Sequence, residues 1–228
     1  FAADGTELWN YESVHPARAG AVADLDGDGR AEVICGTHYY WASVLDSSGI
    51  QRWKHRLGPI CYAVSTGRFD GDGTRGVVFG SGDGKVHYLD SAGRLRMEYD
   101  TGDEVKQVAT GDLDGDGVDE ILAGSVNYNV YCFGADGQRR WRLDVGSPVT
   151  ALVTVPQEHA GFVVAGTRNG RLISIDRDGR IAADTLLGSE VVDILASHGS
   201  VIVATVDGQI RNLTTARIGS KPRSDRIP

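Results

Sequence analysis

Asp112-Leu-Asp-Gly-Asp-Gly-Val-Asp-Glu120 is a compact acidic loop, and nearly the same string stands earlier in the chain as Asp24-Leu-Asp-Gly-Asp-Gly-Arg-Ala-Glu32. A damaged copy, Arg68-Phe-Asp-Gly-Asp-Gly-Thr-Arg-Gly76, lies midway, 44 residues from each. A fixed period of this size, carried by short strand-like pieces, indicates a radial array of small sheets, and the repeat has to be read before any single residue.

Outward from the third loop, one whole unit runs from Val105 to Val145. Val105 to Gly111 alternates as a first strand, Glu120 to Ser125 is an apolar second, and Asn129 to Phe133 is a third. Ala135-Asp-Gly137 is a turn before a fourth strand, Gln138 to Leu143. Four antiparallel strands in about 42 residues make one blade of a β-propeller. The other units align on it, with Trp9, Trp53 and Trp141 at one fourth-strand position and Met97 in the same register. Large apolar side chains there are expected to pack between blades. The fourth unit has Pro156-Gln-Glu-His-Ala160 in place of the acidic loop, and the fifth is shorter.

The third-strand positions Phe1, Leu45, Leu89, Phe133, Ile175 and Leu213 are separated by steps of 44, 44, 44, 42 and 38. The expected fold is therefore all-β, a propeller of five four-stranded blades over residues 1–215, closed by an N-terminal strand that completes the last blade and removes open edges. The alternative is an arc of a larger seven- or eight-bladed ring. Residues 216–228, basic with Ser and Pro, read as an exposed tail or linker. The chain starts inside a repeat and without Met, which reads as a processed, trimmed or excised piece.

With 31 Gly against 6 Pro, the composition fits many tight turns. The formal charge of −8 is concentrated in the loops, so no basic stripe is left for nucleic acid. No apolar run approaches the roughly 20 residues of a membrane span. Cys35, Cys61 and Cys132 fall in strands without ligand spacing and read as buried thiols.

Calcium takes six to eight oxygen ligands at about 2.3 to 2.6 Å, and carboxylates at alternate positions of a tight loop can converge on one ion. In the first loop Asp24, Asp26, Asp28, the Arg30 carbonyl and Glu32 are candidate ligands. In the third these are Asp112, Asp114, Asp116, the Val118 carbonyl and Glu120. An EF-hand needs an acidic residue at position twelve, where Cys35 and Ala123 stand, so that reading fails. Two calcium sites are expected, with Mg²⁺ less suited because it demands tighter octahedral geometry. The middle loop, with Arg68 and Gly76 at ligand positions, is expected to hold no metal, its Arg68 guanidinium pairing instead with Asp70 and Asp72.

The motif Asp-Leu-Asp-Gly-Asp-Gly-x-x-Glu before an apolar strand and a Gly resembles the FG-GAP/VCBS repeat of integrin α-like propellers and bacterial surface proteins. The fourth-strand string Asp-Gly-Gln-Arg-Arg-Trp141 also resembles PQQ-like repeats. The resemblance implies structural calcium on the loop between first and second strands, and partners docking on the opposite face.

On that face the turn Thr37-His-Tyr-Tyr-Trp-Ala42 carries four consecutive ring side chains, and Val126-Asn-Tyr-Asn129 is its counterpart two units on. Aromatic residues with Asn suit recognition, which makes His38, Tyr39, Tyr40, Trp41, Asn127 and Tyr128 the candidate partner-binding residues. Arg18, Tyr62, Lys106, Thr150 and Val192 align at the start of the first strands, near one mouth of the channel. Neither a nucleophile elbow nor a phosphate-cradling loop is present, and the six histidines are scattered, reading as surface or strand residues. The expected function is a calcium-stabilised recognition or scaffold module, extracellular or envelope-associated, for a protein or glycan partner. The alternative is a polysaccharide lyase or another carbohydrate-active propeller enzyme.

Overall fold

The structure, a computed structural model, describes residues 3–157, 160–197 and 199–214. The described residues form 19 strands in five antiparallel sheets, each ordered as the chain runs. Blade 1 is β1 (Ala17–Ala23), β2 (Glu32–Thr37), β3 (Trp41–Leu45) and β4 (Gln51–Arg56). Blade 2 is β5 (Cys61–Gly67), β6 (Gly76–Ser81), β7 (Lys85–Leu89) and β8 (Leu95–Asp100). Blade 3 is β9 (Val105–Gly111), β10 (Glu120–Ser125), β11 (Asn129–Phe133) and β12 (Arg139–Asp144). Blade 4 is β13 (Val149–Val155), β14 (Phe162–Thr167), β15 (Arg171–Ile175) and β16 (Ile181–Leu186). Blade 5 has three strands, β17 (Val191–Ser197), β18 (Ser200–Thr205) and β19 (Ile210–Thr214). First strands pack on first strands in succession from β1 to β17, placing them on the inner side of the array.

Burial follows position in the array. The second strands β6, β10 and β14 are buried at every residue, because sheets lie against both of their faces. At the two ends this continuity breaks into the period-two pattern of a sheet covered on one face: β2 leaves Val33 and Cys35 half-buried, and β18 exposes Ile202. Between sheets the core consists of apolar layers, such as Val78, Val86, Val105, Val108, Ile121 and Phe133 between blades 2 and 3.

The fourth-strand tryptophans hold neighbouring blades together, as expected. Trp53 of blade 1 lies over Gly93 in the β7–β8 turn of blade 2, so close that a Cβ on that glycine would be 2.7 Å from the indole. Its Nε1 donates to the Ser91 carbonyl at 3.0 Å. Trp141 repeats the arrangement over Gly179, donating to the Arg177 carbonyl at 2.8 Å. Met97 packs on Gly137 in the same way without a donor.

Among the described residues the expected closure is absent. Residues 3–16 form no strand and none pairs with β19, so the blades make an open arc. What holds of that expectation is the seat of Trp9, which lies over Gly49 and donates to the Ser47 carbonyl at 3.0 Å, as the fourth strand of a preceding blade would. The packing that anchors this segment is made to blade 1 and asks nothing of blade 5. Phe1 and the 216–228 tail lie outside the described residues.

Candidate functional site

Acidic loops join first to second strands and therefore sit at the opposite end of each blade from the turns between second and third strands. In the first loop, carboxylate oxygens of Asp24, Asp26 and Glu32 all lie within 4.8 Å of one another, and Asp112, Asp114 and Glu120 repeat this in the third. The folding of the loop follows from its residues. Asp24 accepts the Gly27 and Gly29 amides at 2.8 and 2.9 Å, curling the chain, while Glu32 reaches back to the Leu25 amide at 2.9 Å. Asp112 and Glu120 make the corresponding bonds to Gly115, Gly117 and Leu113.

Asp28 and Asp116 stand outside the converging groups, each accepting the amide two residues on, from Arg30 and Val118, at 2.8 Å. An Asx turn holds each carboxylate on its own backbone.

Electrostatics favour a cation at the third loop. Glu120 is 1% exposed, and its Oε1 accepts no hydrogen bond although Arg140 Nη1 stands 2.9 Å away, aligned on Asp114 instead. Burial pushes the Glu120 carboxyl up to about 7. A buried carboxylate oxygen paired only with Arg140, beside two further carboxylates, belongs to a hard, oxygen-only donor set of the type that suits Ca²⁺. The residues present therefore fit the ion: Asp112, Asp114 and Glu120 would hold it in one loop, and Asp24, Asp26 and Glu32 in the other.

The middle loop departs from its expectation in mechanism. Among the described residues Arg68 forms no ion pair with Asp70 or Asp72; its amide donates to Asp119 Oδ2 of blade 3 at 2.8 Å. The place of the missing glutamate is filled by rings. A Cβ on Gly76 would fall inside contact distance of Tyr88 Cε2 and 2.8 Å from Phe69 Cδ2, and those rings lie 4.5 Å apart. Restoring the acid by Gly76→Glu is therefore expected to destabilise the protein by about 3 kcal/mol, because it overpacks a filled core. Urea unfolding of the variant checks this, and unchanged stability would show that the rings yield.

At the other end of the blades the β2–β3 type of turn requires one residue in the left-handed region. Blades 2, 4 and 5 place Gly84, Gly170 and Gly208 there, at φ of 88°, 81° and 81°. Blades 1 and 3 place Tyr40 and Tyr128, at φ of 63° and 73°, and both side chains are exposed, at 45% and 49%. Tyr39 is also exposed, with the His38 ring 4.6 Å and the His15 ring 5.2 Å away. The remaining candidates turn inward. Trp41 is half-buried under Lys54 Nζ, 4.0 Å from its ring. Asn127 is consumed internally: its Nδ2 donates to the Thr101 carbonyl and to Tyr131 Oη, which removes it from a recognition surface.

The five residues aligned at the start of the first strands share a cause that the alignment alone did not reveal. Arg18, Tyr62, Lys106, Thr150 and Val192 are each skipped in the pairing of first and second strands, so every first strand carries a bulge at its second residue. Four of them, Tyr62, Lys106, Thr150 and Val192, line a cavity of about 310 Å³. Lys106 lies 3.3 Å over the Tyr62 ring and is paired with Glu104 at 2.7 Å, so it gives the cavity no strong anion preference.

Two features were missed. A 44-residue threonine spacing marks an inner ladder, in which the Thr110 hydroxyl donates to the Thr66 carbonyl and the Thr154 hydroxyl to the Thr110 carbonyl, at 2.8 and 2.7 Å. Two of the histidines read as scattered also meet in the seam between blades 1 and 2. His55 Nε2 and His87 Nδ1 are 3.4 Å apart, with Glu98 Oε2 3.6 Å from His87. His159 and His198 lie outside the described residues. The three cysteines are free thiols, Cys61 and Cys132 buried and Cys35 half-buried.

The λ-carrageenase β-propeller domain family matches residues 101–186, which are blades 3 and 4. Among solved structures, the chain is similar to the WD40 β-propeller domain of Doa1, with a TM-score of 0.66 and 16% identity over 85% of this chain and 62% of that one. The fold is a β-propeller. The arc is also similar to BamB from Moraxella catarrhalis, with a TM-score of 0.67 and 16% identity over 92% of this chain, and to BBS1N in its complex with ARL6DN, with a TM-score of 0.72 and 12% identity over 94%. The propeller spans 64% of the BamB chain and 69% of the BBS1N chain. No curated protein matches it in sequence. Among the described residues no helix is long and apolar enough to cross a membrane.

Proposed function

We propose that this propeller is a recognition or scaffold module that engages a protein partner through the face opposite its acidic loops, the loops serving as calcium-held clamps of the FG-GAP/VCBS type. The observation that carries this reading is the pair of exposed tyrosines in left-handed backbone. A non-glycine residue there costs of order 1 kcal/mol, three other blades avoid that cost with glycine, and neither Tyr40 nor Tyr128 is buried in return. Strain kept at an exposed aromatic residue is consistent with a contact made to something else. BBS1N, a structural neighbour, is seen bound to ARL6DN, which supports partner docking on such a fold.

Replacing both tyrosines by the glycine of the other blades separates the roles. The double variant Tyr40→Gly, Tyr128→Gly is expected to keep its unfolding free energy within about 1 kcal/mol, since relieved strain offsets lost contacts. Its partner binding is expected to weaken at least about tenfold, the loss of one anchor residue being worth more than 1.4 kcal/mol. Unchanged binding in a folded variant would contradict the assignment of the face.

Calcium belongs to the same proposal. Extracellular calcium modules work at dissociation constants of about 10⁻⁴ to 10⁻³ M, which is why an extracellular or envelope setting accompanies it. Chelation with EGTA is expected to lower the melting temperature, because an ion bound only to the native state stabilises it by about 2.7 kcal/mol at a hundredfold excess over its dissociation constant. An identical transition with and without EGTA would remove the clamp.

A glycan reading is favoured by one specific observation, the λ-carrageenase propeller match over blades 3 and 4. Incubation with λ-carrageenan distinguishes its forms: release of reducing ends supports the carbohydrate-active enzyme, and retention without cleavage supports a glycan-binding module.

A further inference from the structure

The two complete acidic loops each contact a guanidinium delivered by the fourth strand of the same blade. Arg52 Nη1 is 2.7 Å from Asp26 Oδ2 and 3.2 Å from Glu32 Oε1. Arg140 Nη1 is 2.7 Å from Asp114 Oδ2 and 2.9 Å from Glu120 Oε1. Both arginines stand immediately before a seated tryptophan, in a register that blade 2 fills with Arg96 and blade 4 with Ala182. The side chain tracks the state of the loop. Where the glutamate has become Gly76, the arginine leaves the loop and Arg96 Nη1 lies 4.0 Å from Asp90. In the fourth unit, where the loop is lost, the arginine is lost too.

Charge explains the coupling. The guanidinium places one positive charge against the converging carboxylates and so offsets part of their mutual repulsion. Glu120 Oε1 is buried and ion-paired with Arg140 without an aligned hydrogen bond, which leaves it a lone pair for a cation beside the guanidinium.

We propose that Arg52 and Arg140 are the charge-setting residues of the two loops, each offsetting part of its cluster's negative charge so that the loop disfavours trivalent cations and stays closed when calcium is scarce. The inference rests on the calcium reading above and adds to it a role for the fourth strand. Since each arginine precedes the tryptophan that seats on the next blade, loop charge and blade packing share one strand.

The test uses the 228-residue chain, with Ca²⁺ titrated calorimetrically, Tb³⁺ by its luminescence, and melting followed in EGTA. The wild-type protein is expected to bind two Ca²⁺. Arg140→Gln and, separately, Arg52→Gln should each tighten one Ca²⁺ site about tenfold, tighten Tb³⁺ by a larger factor, and melt lower than wild type in EGTA. Arg140→Lys, which keeps the charge, should retain the wild-type ratio of Ca²⁺ to Tb³⁺ affinity. Two Ca²⁺ bound by wild type with unchanged or weakened affinity in both glutamine variants would overturn the charge-setting role and leave the calcium reading standing. No binding of either ion by any of the proteins would overturn both.

Discussion

Trp53→Ala is expected to lower the unfolding free energy by about 3 kcal/mol, which for a chain of this size means a fall of roughly 6–12 °C in melting temperature. The side chain does two things. Its ring fills the space above Gly93 on the neighbouring blade, and its Nε1 donates to the Ser91 carbonyl. Trp53→Phe keeps much of the first and loses the second, so its cost should be about 1 kcal/mol. In a repeat array each blade is stabilised mainly by its neighbours, so damage at one seam should broaden the transition as blade 1 separates from blades 2–5. Differential scanning calorimetry measures both effects. A sharp, unshifted transition for the alanine variant would show that apolar layers alone join the blades.

Acid is expected to open the same seam by a second route. His87 is 3% exposed, and its Nε2 accepts and donates no hydrogen bond. Burial, reinforced by the neighbouring His55, lowers its pKa to about 4, while Glu98 and Asp83 oppose the shift and Lys85 adds to it. The folded protein therefore keeps His87 neutral where the unfolded chain, near 6.5, takes up a proton. Stability from this group is complete above about pH 6.5 and falls as pH drops from there toward 4, by up to about 3 kcal/mol. His55, whose pKa burial also lowers, acts in the same direction. Chemical denaturation at pH 7, 5.5 and 4.5 measures the slope, and His87→Phe should flatten it. A variant as acid-sensitive as the parent would place the cause elsewhere.

How far the sequence was legible depends on how local each signal is. The blade was readable because its strands alternate or run apolar over short spans and its turns carry Asp and Gly at fixed offsets; β9, β10 and β11 fall where Val105, Glu120 and Asn129 indicated. The tryptophan register was readable for the same reason, since Trp9, Trp53 and Trp141 meet the same turn one blade on. Closure was not readable, because counting repeats supplies strands without saying which edge a segment pairs with. Residues near Trp9 are held on blade 1, and that contact is indifferent to β19.

The functional candidates divide along the same line. Asp24, Asp26 and Glu32 converge because their loop curls on its own backbone, a local property. Asp28 shares the alternating spacing and accepts the Arg30 amide, outside the group of three. Tyr88 plugging the middle loop, Asn127 bonding across to Thr101, and His55 meeting His87 each depend on a contact between strands or blades that spacing does not encode. The arginines at 52, 96 and 140 share the 44-residue spacing, but spacing gives them no purpose, because the groups they meet lie outside their own strand.

The division of labour between the two faces is tested most directly by placing a photo-crosslinking amino acid at Tyr40 or Tyr128 on one face and at Asp28 or Asp116 on the other, then irradiating in the native setting. The account predicts discrete partner adducts from Tyr40 and Tyr128 and none from the acidic loops. Adducts arising from Asp28 and Asp116 alone would contradict it.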